Sequence, residues 1–256
     1  MKRFWSLLCL LLVLTGLASE AQAEFFDITS AVVDKDGWYT IAWNDTIGNG
    51  PFNVYYQYWN EAANEGQMSW LVGEAVRESR FQFTTLIPGA SYRLIVRDSD
   101  GNFGYMIARI PGGEPFETSQ KSNATVYLKY KTKPGKKDSD AKRDTKKSVA
   151  AMMKNMKKGY EYGLELRVKY TTKGKKTTRH NGVASICAPD GFIASQGVSQ
   201  FPVSKRKGDT AYIRYVFPDF FRTLYAREEG IPTGQYTVKL YLDGQAFLET
   251  AFTLKK

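Results

Sequence analysis

The sequence predicts a mainly β chain: two β-rich domains behind a short apolar leader, the second carrying one or two short helices. Three observations carry that expectation. Short runs that alternate apolar and polar residues recur from Phe25 onward, separated by Gly, Pro, Asn and Asp clusters. Aromatic residues make up 14% of the chain and include 16 Tyr, which suits strands better than helices. The charge also inverts along the chain. Residues 24–116 hold 6 Lys and Arg against 12 Asp and Glu, a net of −6, whereas residues 117–256 hold 28 against 13, a net of +15. An acidic half followed by a basic half points to two domains with different partners.

The leader reads Met1-Lys2-Arg3, then an apolar run from Phe4 to Leu17, then small residues ending Ala21-Gln22-Ala23. A basic tip, an apolar core of about 14 residues and an Ala-x-Ala ending predict a signal peptide over 1–23, cleaved before Glu24. A membrane-spanning helix needs roughly 20 apolar residues. Cys9 lies inside the apolar run, away from the cleavage point, which argues against a lipid anchor. No second long apolar run follows, so the expectation is a secreted or cell-envelope protein without a transmembrane anchor. Beyond position 23 only Cys187 remains, so the fold must rest on buried apolar area.

In the first half, Trp38 to Trp43 alternates, placing Tyr39, Ile41 and Trp43 on one side. After the turn Asn44 to Pro51, Phe52 to Trp59 reads as a strand with Phe52, Val54, Tyr56 and Tyr58 aligned. A polar loop, 60–67, leads to Trp70-Leu71-Val72. Arg80 to Thr84 and Tyr92 to Arg97 follow at similar spacing. Short strands at this interval predict a sandwich or barrel.

The stretch Leu86-Ile-Pro88-Gly89-Ala-Ser-Tyr92-Arg-Leu-Ile-Val96 resembles the tyrosine corner of fibronectin type III domains. The resemblance spans about residues 25–112. Trp43 corresponds to the family's buried Trp on the second strand, and Phe52, Val54 and Tyr56 to its aromatic–aliphatic third strand. It implies a β-sandwich in which Leu86, Pro88, Gly89 and Tyr92 are structural, the Tyr hydroxyl bonding back to the loop backbone. Such domains are spacers or binding modules, so the resemblance implies no activity. The Arg-Gly-Asp loop of some members is absent; the last turn reads Arg97-Asp-Ser-Asp-Gly101.

The expected organisation is therefore a fibronectin type III-like domain at 24–112, a linker at 113–123 and a basic β-rich, sandwich-like domain at 124–256. Pro111 to Phe116, with two Pro and two Gly, marks the boundary. Thr125 to Tyr130 alternates like a strand. A Lys-rich flexible or helical insertion occupies about 131–158, expected to be disordered to about Thr145. Val149, Met152, Met153 and Met156 then fall at helical spacing. Strands are expected at Tyr162–Tyr170, Gly182–Cys187 and Tyr212–Phe217, the first two joined as a hairpin through a basic tip at 171–181. Asp219 to Glu229 reads as a helix presenting Phe220, Phe221, Leu224 and Tyr225. The chain ends in a hairpin turning at Asp243-Gly244.

Catalytic chemistry finds little footing. His180 stands among cations with no carboxylate nearby in sequence, and Cys187 reads as a small apolar strand residue. One His and one Cys do not build a zinc site. Asp98-Ser-Asp-Gly-Asn102 opens like a calcium loop, but Arg109 stands where the bidentate Glu belongs. No nucleophile elbow, phosphate loop or dinucleotide fingerprint is present. The expectation is a protein that is not an enzyme and needs no cofactor or metal. A secreted hydrolase with a carboxylate pair is the weaker alternative, because such pairs leave no motif.

The basic runs carry the sharper functional expectation. Lys136, Lys137, Lys142, Arg143, Lys146, Lys147, Lys173, Lys175, Lys176, Arg179, Lys205, Arg206 and Lys207 are candidates for a polyanion-binding surface. Runs of this kind are also found as merely solvated faces. Outside the cell the counterpart is an anionic envelope or extracellular polymer; export removes intracellular nucleic acid. An internal or homotypic contact between acidic and basic domains is a further possibility, and Tyr55 and Trp59 are candidates for stacking on sugars.

Overall fold

The computed structural model describes residues 26–34, 37–46, 48–115, 122–133, 137, 140–171, 179–202, 210–211 and 218–256. Within these, the side chains at 122–123, 169–171, 179, 198–202, 210–211 and 218–219 are not described. The leader, the expected strand at 212–217, and Lys136, Lys173, Lys175, Lys176, Lys205, Arg206 and Lys207 lie outside the described residues.

The chain is mainly β. The first sandwich is built from β1 (Ile28–Val33), β2 (Tyr39–Trp43), β3 (Phe52–Asn60), β4 (Glu65–Gly66), β5 (Trp70–Val76), β6 (Arg80–Phe83), β7 (Ser91–Arg97) and β8 (Phe103–Arg109). One sheet runs β1-β2-β6; the other runs β4-β3-β7-β8, with β5 also paired to β3. Two antiparallel sheets form the β-sandwich that the fibronectin type III resemblance implies. The alternation in sequence sets which side chains face inward: Tyr39, Ile41 and Trp43 are buried on β2, and Phe52, Val54 and Tyr56 on β3. Trp43 and Phe52 meet edge to face at 5.2 Å between ring centroids. The tyrosine corner closes as expected, with the buried Tyr92 hydroxyl accepting the Ile87 N–H at 3.0 Å.

The second sandwich follows with β9 (Ser122–Lys131), β10 (Lys142–Arg143), α1 (Val149–Met156), β11 (Glu161–Thr171), β12 (Arg179–Cys187) and β13 (Ile193–Pro202). It finishes with β14 (Thr210–Ala211), α2 (Pro218–Ala226), β15 (Gly234–Leu242) and β16 (Gln245–Leu254). Sheets β10-β9-β11-β14 and β13-β12-β15-β16 enclose one core. Leu128, Leu164 and Leu166 enter it from one side, and Ala184, Ile186, Val238 and Leu240 from the other. Met152 of α1 and Phe220, Phe221 and Leu224 of α2 fill its margin.

Two expectations need correction. The strands at 161–171 and 179–187 do not form a hairpin: β11 pairs with β9 and β14, while β12 pairs with β13 and β15. Hairpin loops run to 2–5 residues, and the seven between β11 and β12 are enough to cross the roughly 10 Å separating packed sheets. The basic stretch before Thr145 also contains structure. Lys142 pairs with Tyr130 and Arg143 with Lys129, and the Asp144 N–H donates to Leu128 O at 2.8 Å. Further on, Lys255 clamps the segment before α1, donating to Lys147 O and accepting from Val149 N, both at 2.8 Å.

The two sandwiches share a sheet. Side chains alternate across a strand, so a strand apolar on both faces is buried on both. Strands β12 and β15 behave in this way. Ala184, Ile186, Val238 and Leu240 face the second core, whereas Val183 and Tyr241 join the core of the first sandwich. Uncharged groups make the following contacts between the sandwiches. The Gln67 amide bonds the main chain of Ile193, Tyr56 Oη lies 3.3 Å from Ser195 Oγ, and Trp70 leans on Phe192 at 6.1 Å. At the boundary, Gly113 N donates to Gly244 O at 2.6 Å and Ala246 N to Glu114 O at 2.7 Å. Gly112, at φ +96°, is needed here, because a Cβ would stand 2.2 Å from Gly244 O.

Candidate functional site

The outer face of the β10-β9-β11-β14 sheet gathers the described cations most closely. It lies on the side opposite the first sandwich, since the latter packs on the far face of the other sheet. On β11, Tyr162, Leu164, Leu166 and Val168 point into the core, so Glu161, Glu165 and Arg167 point out. On β9 the same parity turns Tyr127, Lys129 and Lys131 outward. Pairing then sets Glu161 opposite Lys131, Glu165 opposite Tyr127, and Arg143 of β10 opposite Lys129.

These side chains interlock. The Arg143 guanidinium lies over the Tyr127 ring at 4.0 Å, and that of Arg167 approaches the same ring at 5.2 Å. Cations attract the electron-rich ring face, and such stacking fixes the guanidinium planes. Glu165 is buried at 1% exposure, between Lys129 and Arg167, both of which pair with it. Burial pushes its carboxyl upward, but hydrogen bonds and charge from Lys129 and Arg167 outweigh that and hold it below the ordinary range. Lys131 and Glu161 form a looser pair at 3.9 Å. The face thus holds four cations against two carboxylates, with Lys142 exposed at its edge.

Of the expected cationic residues, Arg143 belongs to this face; Lys142, opposite Tyr130, has the other parity and is exposed at the sheet edge, and Lys137 and Lys146 are exposed nearby in sequence. Lys147 is half-buried, and its N–H and that of Lys146 both bond Asp144 Oδ1. Arg179 opens β12, in the other sheet. Lys129 and Lys131 open the basic stretch 129–158, whereas Arg167 escaped the sequence reading because it sits singly within a strand. Its outward parity was the available signal. The ion pairs among the described residues each join two residues of one domain.

Other candidates take definite places. His180 has a carboxylate after all: its Nδ1 lies 2.5 Å from Asp243 Oδ2, which the terminal hairpin turn brings from 63 residues away. Cys187 stands seven residues further along the same strand, about 23 Å distant at strand rise, so the two do not meet. Burial pushes the Cys187 thiol up, with Lys239 opposing and Asp190 adding to the rise. Asp98 is buried and accepts N–H groups from Asn49, Asp100, and the backbone and side chain of Asn102. Those donors occupy the oxygens a calcium ion would need. Among the described residues no cluster of three or more His, Cys, Asp and Glu could hold a metal. Tyr55 and Trp59, expected to be exposed, are both half-buried on the outward side of β3.

No family model matches the chain, and no curated protein matches it. Among solved structures it overlays on the chicken CNTN1 FN1-FN3 domains with 8% identity and a TM-score of 0.25, covering 91% of this chain and 99% of that one. Tp47, the 47-kilodalton lipoprotein of Treponema pallidum, gives 10% and 0.27, over 93% and 53% of the two chains. The chicken interferon gamma receptor alpha chain gives 9% and 0.25, over 91% and 100%. Overlays this loose assign neither a family nor an activity. Among the described residues, no helix is long and apolar enough to cross a membrane.

Proposed function

We propose that the protein is an exported, non-catalytic binding or adhesion protein whose basic second domain associates with an anionic envelope or extracellular polymer. Arg143 and Arg167 flank Tyr127 on the sheet face turned away from the first domain, and this arrangement carries the proposal. Guanidinium groups fixed by stacking lose less rotamer freedom on binding than free ones, and they present paired donors to phosphate, sulfate or carboxylate. A net of +15 over residues 117–256 supplies long-range attraction to the same kind of partner.

The test is retention on lipoteichoic acid, heparin and double-stranded DNA at about 0.05 and 0.5 M salt, where screening lengths fall from well beyond contact range to within it. Binding should collapse at the higher salt and weaken in the double variant Arg143→Ala/Arg167→Ala. Retention that ignores both salt and the double substitution would overturn the proposal. Point substitutions suit this test better than deleting the basic segment, because Val149 and Met152 within it are buried in the core.

A further inference from the structure

The outward face of the β3-β7-β8 sheet and β5 has a different character from the rest of its domain. Residues 24–116 contain 12 Asp and Glu, yet the outward positions of β3, β7 and β8 carry none, and β5 adds the exposed Glu74. On β3, β7 and β8 the outward charges are Arg93, Arg97 and Arg109. Between them lie exposed apolar side chains: Leu71 at 49%, Tyr105 at 44% and Ile107 at 47%, with Met68 at 52% in the loop before β5. Strand register aligns Leu71, Tyr55, Ile95 and Tyr105 in one row across four strands. Gln57, Arg93 and Ile107 form the next row. A recess on this face, about 490 Å³, is walled by Tyr55, Ser69, Ile95, Arg97, Gly101 and Phe103.

We infer that this face docks an acidic protein segment that sets Asp or Glu beside an aliphatic or aromatic side chain. Charge complementarity selects the partner: Arg93 and Arg97, whose register neighbours are Gln57, Ile107, Asn53 and Phe103 with no carboxylate among them, favour an anionic surface. They also oppose a second copy laid face to face, which would set arginine against arginine. Tyr, Trp, Met and Arg, which this face gathers, are enriched in protein-binding cores. Arg93 is already held for that role, its guanidinium 4.0 Å over the Tyr105 ring. Its Nε and the Oε1 of Gln57, opposite in register, are both buried with no hydrogen-bond partner in the protein.

A random 12-residue peptide library displayed on phage, panned against the full-length protein, tests the inference. Enriched peptides should place Asp or Glu within three residues of an apolar residue. Resynthesised peptides should bind at least tenfold more weakly to Ile107→Asp and to Arg97→Glu, and as well to Arg143→Ala/Arg167→Ala as to the parent. Ile107 and Arg97 are exposed, so both variants should keep the parent's melting temperature, and Tyr105→Ser serves as a third probe. Absent enrichment, enriched peptides without acidic residues, or equal binding to all three variants would overturn it. Binding of neutral oligosaccharides lost in Tyr105→Ser would do the same, replacing the peptide with a glycan.

Discussion

The side-chain amide of Gln67 makes both hydrogen bonds that a neighbouring strand would make to Ile193. Its Nε2 donates to Ile193 O at 2.6 Å, and its Oε1 accepts from Ile193 N at 2.9 Å. Ile193 begins β13, an edge strand, and the first domain thereby covers the edge with one residue. Gln67→Ala should leave a part-buried N–H and C=O without partners and cost about 1–3 kcal/mol. Urea unfolding would read the loss, and limited proteolysis between residues 113 and 122 should quicken. A variant as stable as the parent would mean water serves Ile193 equally well.

Close approach at a second point makes a sharper test. A Cβ on Gly197 of β13 would stand 1.4 Å from Thr84 O, a backbone atom that cannot swing away. Gly197→Ala should push the domains apart and cost about 1–3 kcal/mol, in the range of overpacked cores. Small-angle scattering should show a larger radius of gyration. An unchanged radius and melting temperature would place Thr84 away from Gly197 in solution.

Tyr92→Phe isolates the tyrosine corner. The ring would stay packed against Tyr56, 5.3 Å between centroids, while the Ile87 N–H loses its acceptor in a buried site. The expected loss is about 1–3 kcal/mol in chemical denaturation, with little change in the slope against denaturant.

Glu165 and Asp98 set the acid limb of stability. Burial raises both carboxyls, but Lys129 and Arg167 outweigh it for Glu165, and the Asn102 amide and three backbone N–H groups outweigh it for Asp98. Both folded-state values therefore lie below the unfolded ones. Their contribution is present above the unfolded carboxylate range, about 4, and is lost as pH falls through the lower folded values. Melting temperature should drop steeply below about pH 4, and Glu165→Gln should flatten that drop. An identical acid limb in the variant would remove Glu165 from the account.

Arg143→Ala/Arg167→Ala should also change the slope of log affinity against log salt on DNA. Losing two phosphate contacts reduces the slope by about 2. Weaker binding at an unchanged slope would mean the arginines act through packing alone.

Period-two alternation was enough to place most strands, because a half-buried strand must alternate whichever neighbour it finds. The tyrosine corner was legible for the same local reason: Leu86, Pro88, Gly89 and Tyr92 stand within seven residues, and the Tyr92 hydroxyl reaches back only five positions. Strand β13 was not legible, since Ile-Ala-Ser-Gln-Gly-Val-Ser-Gln-Phe-Pro carries no strong apolar pattern and is held by its neighbours. Strands β12 and β15 showed apolar residues of both parities, a sign of two-sided burial whose second partner, the first domain, lies some hundred positions away.

Composition and local pattern by themselves determined a β-rich chain, the tyrosine corner and the division of charge between its halves. Only tertiary pairing decided which cations converge. Arg143, Tyr127 and Arg167 meet because three strands align in register, and His180 finds Asp243 because a hairpin returns beneath it. Contacts between strands distant in sequence depend on register and sheet order, and neither is written in the period of a single strand.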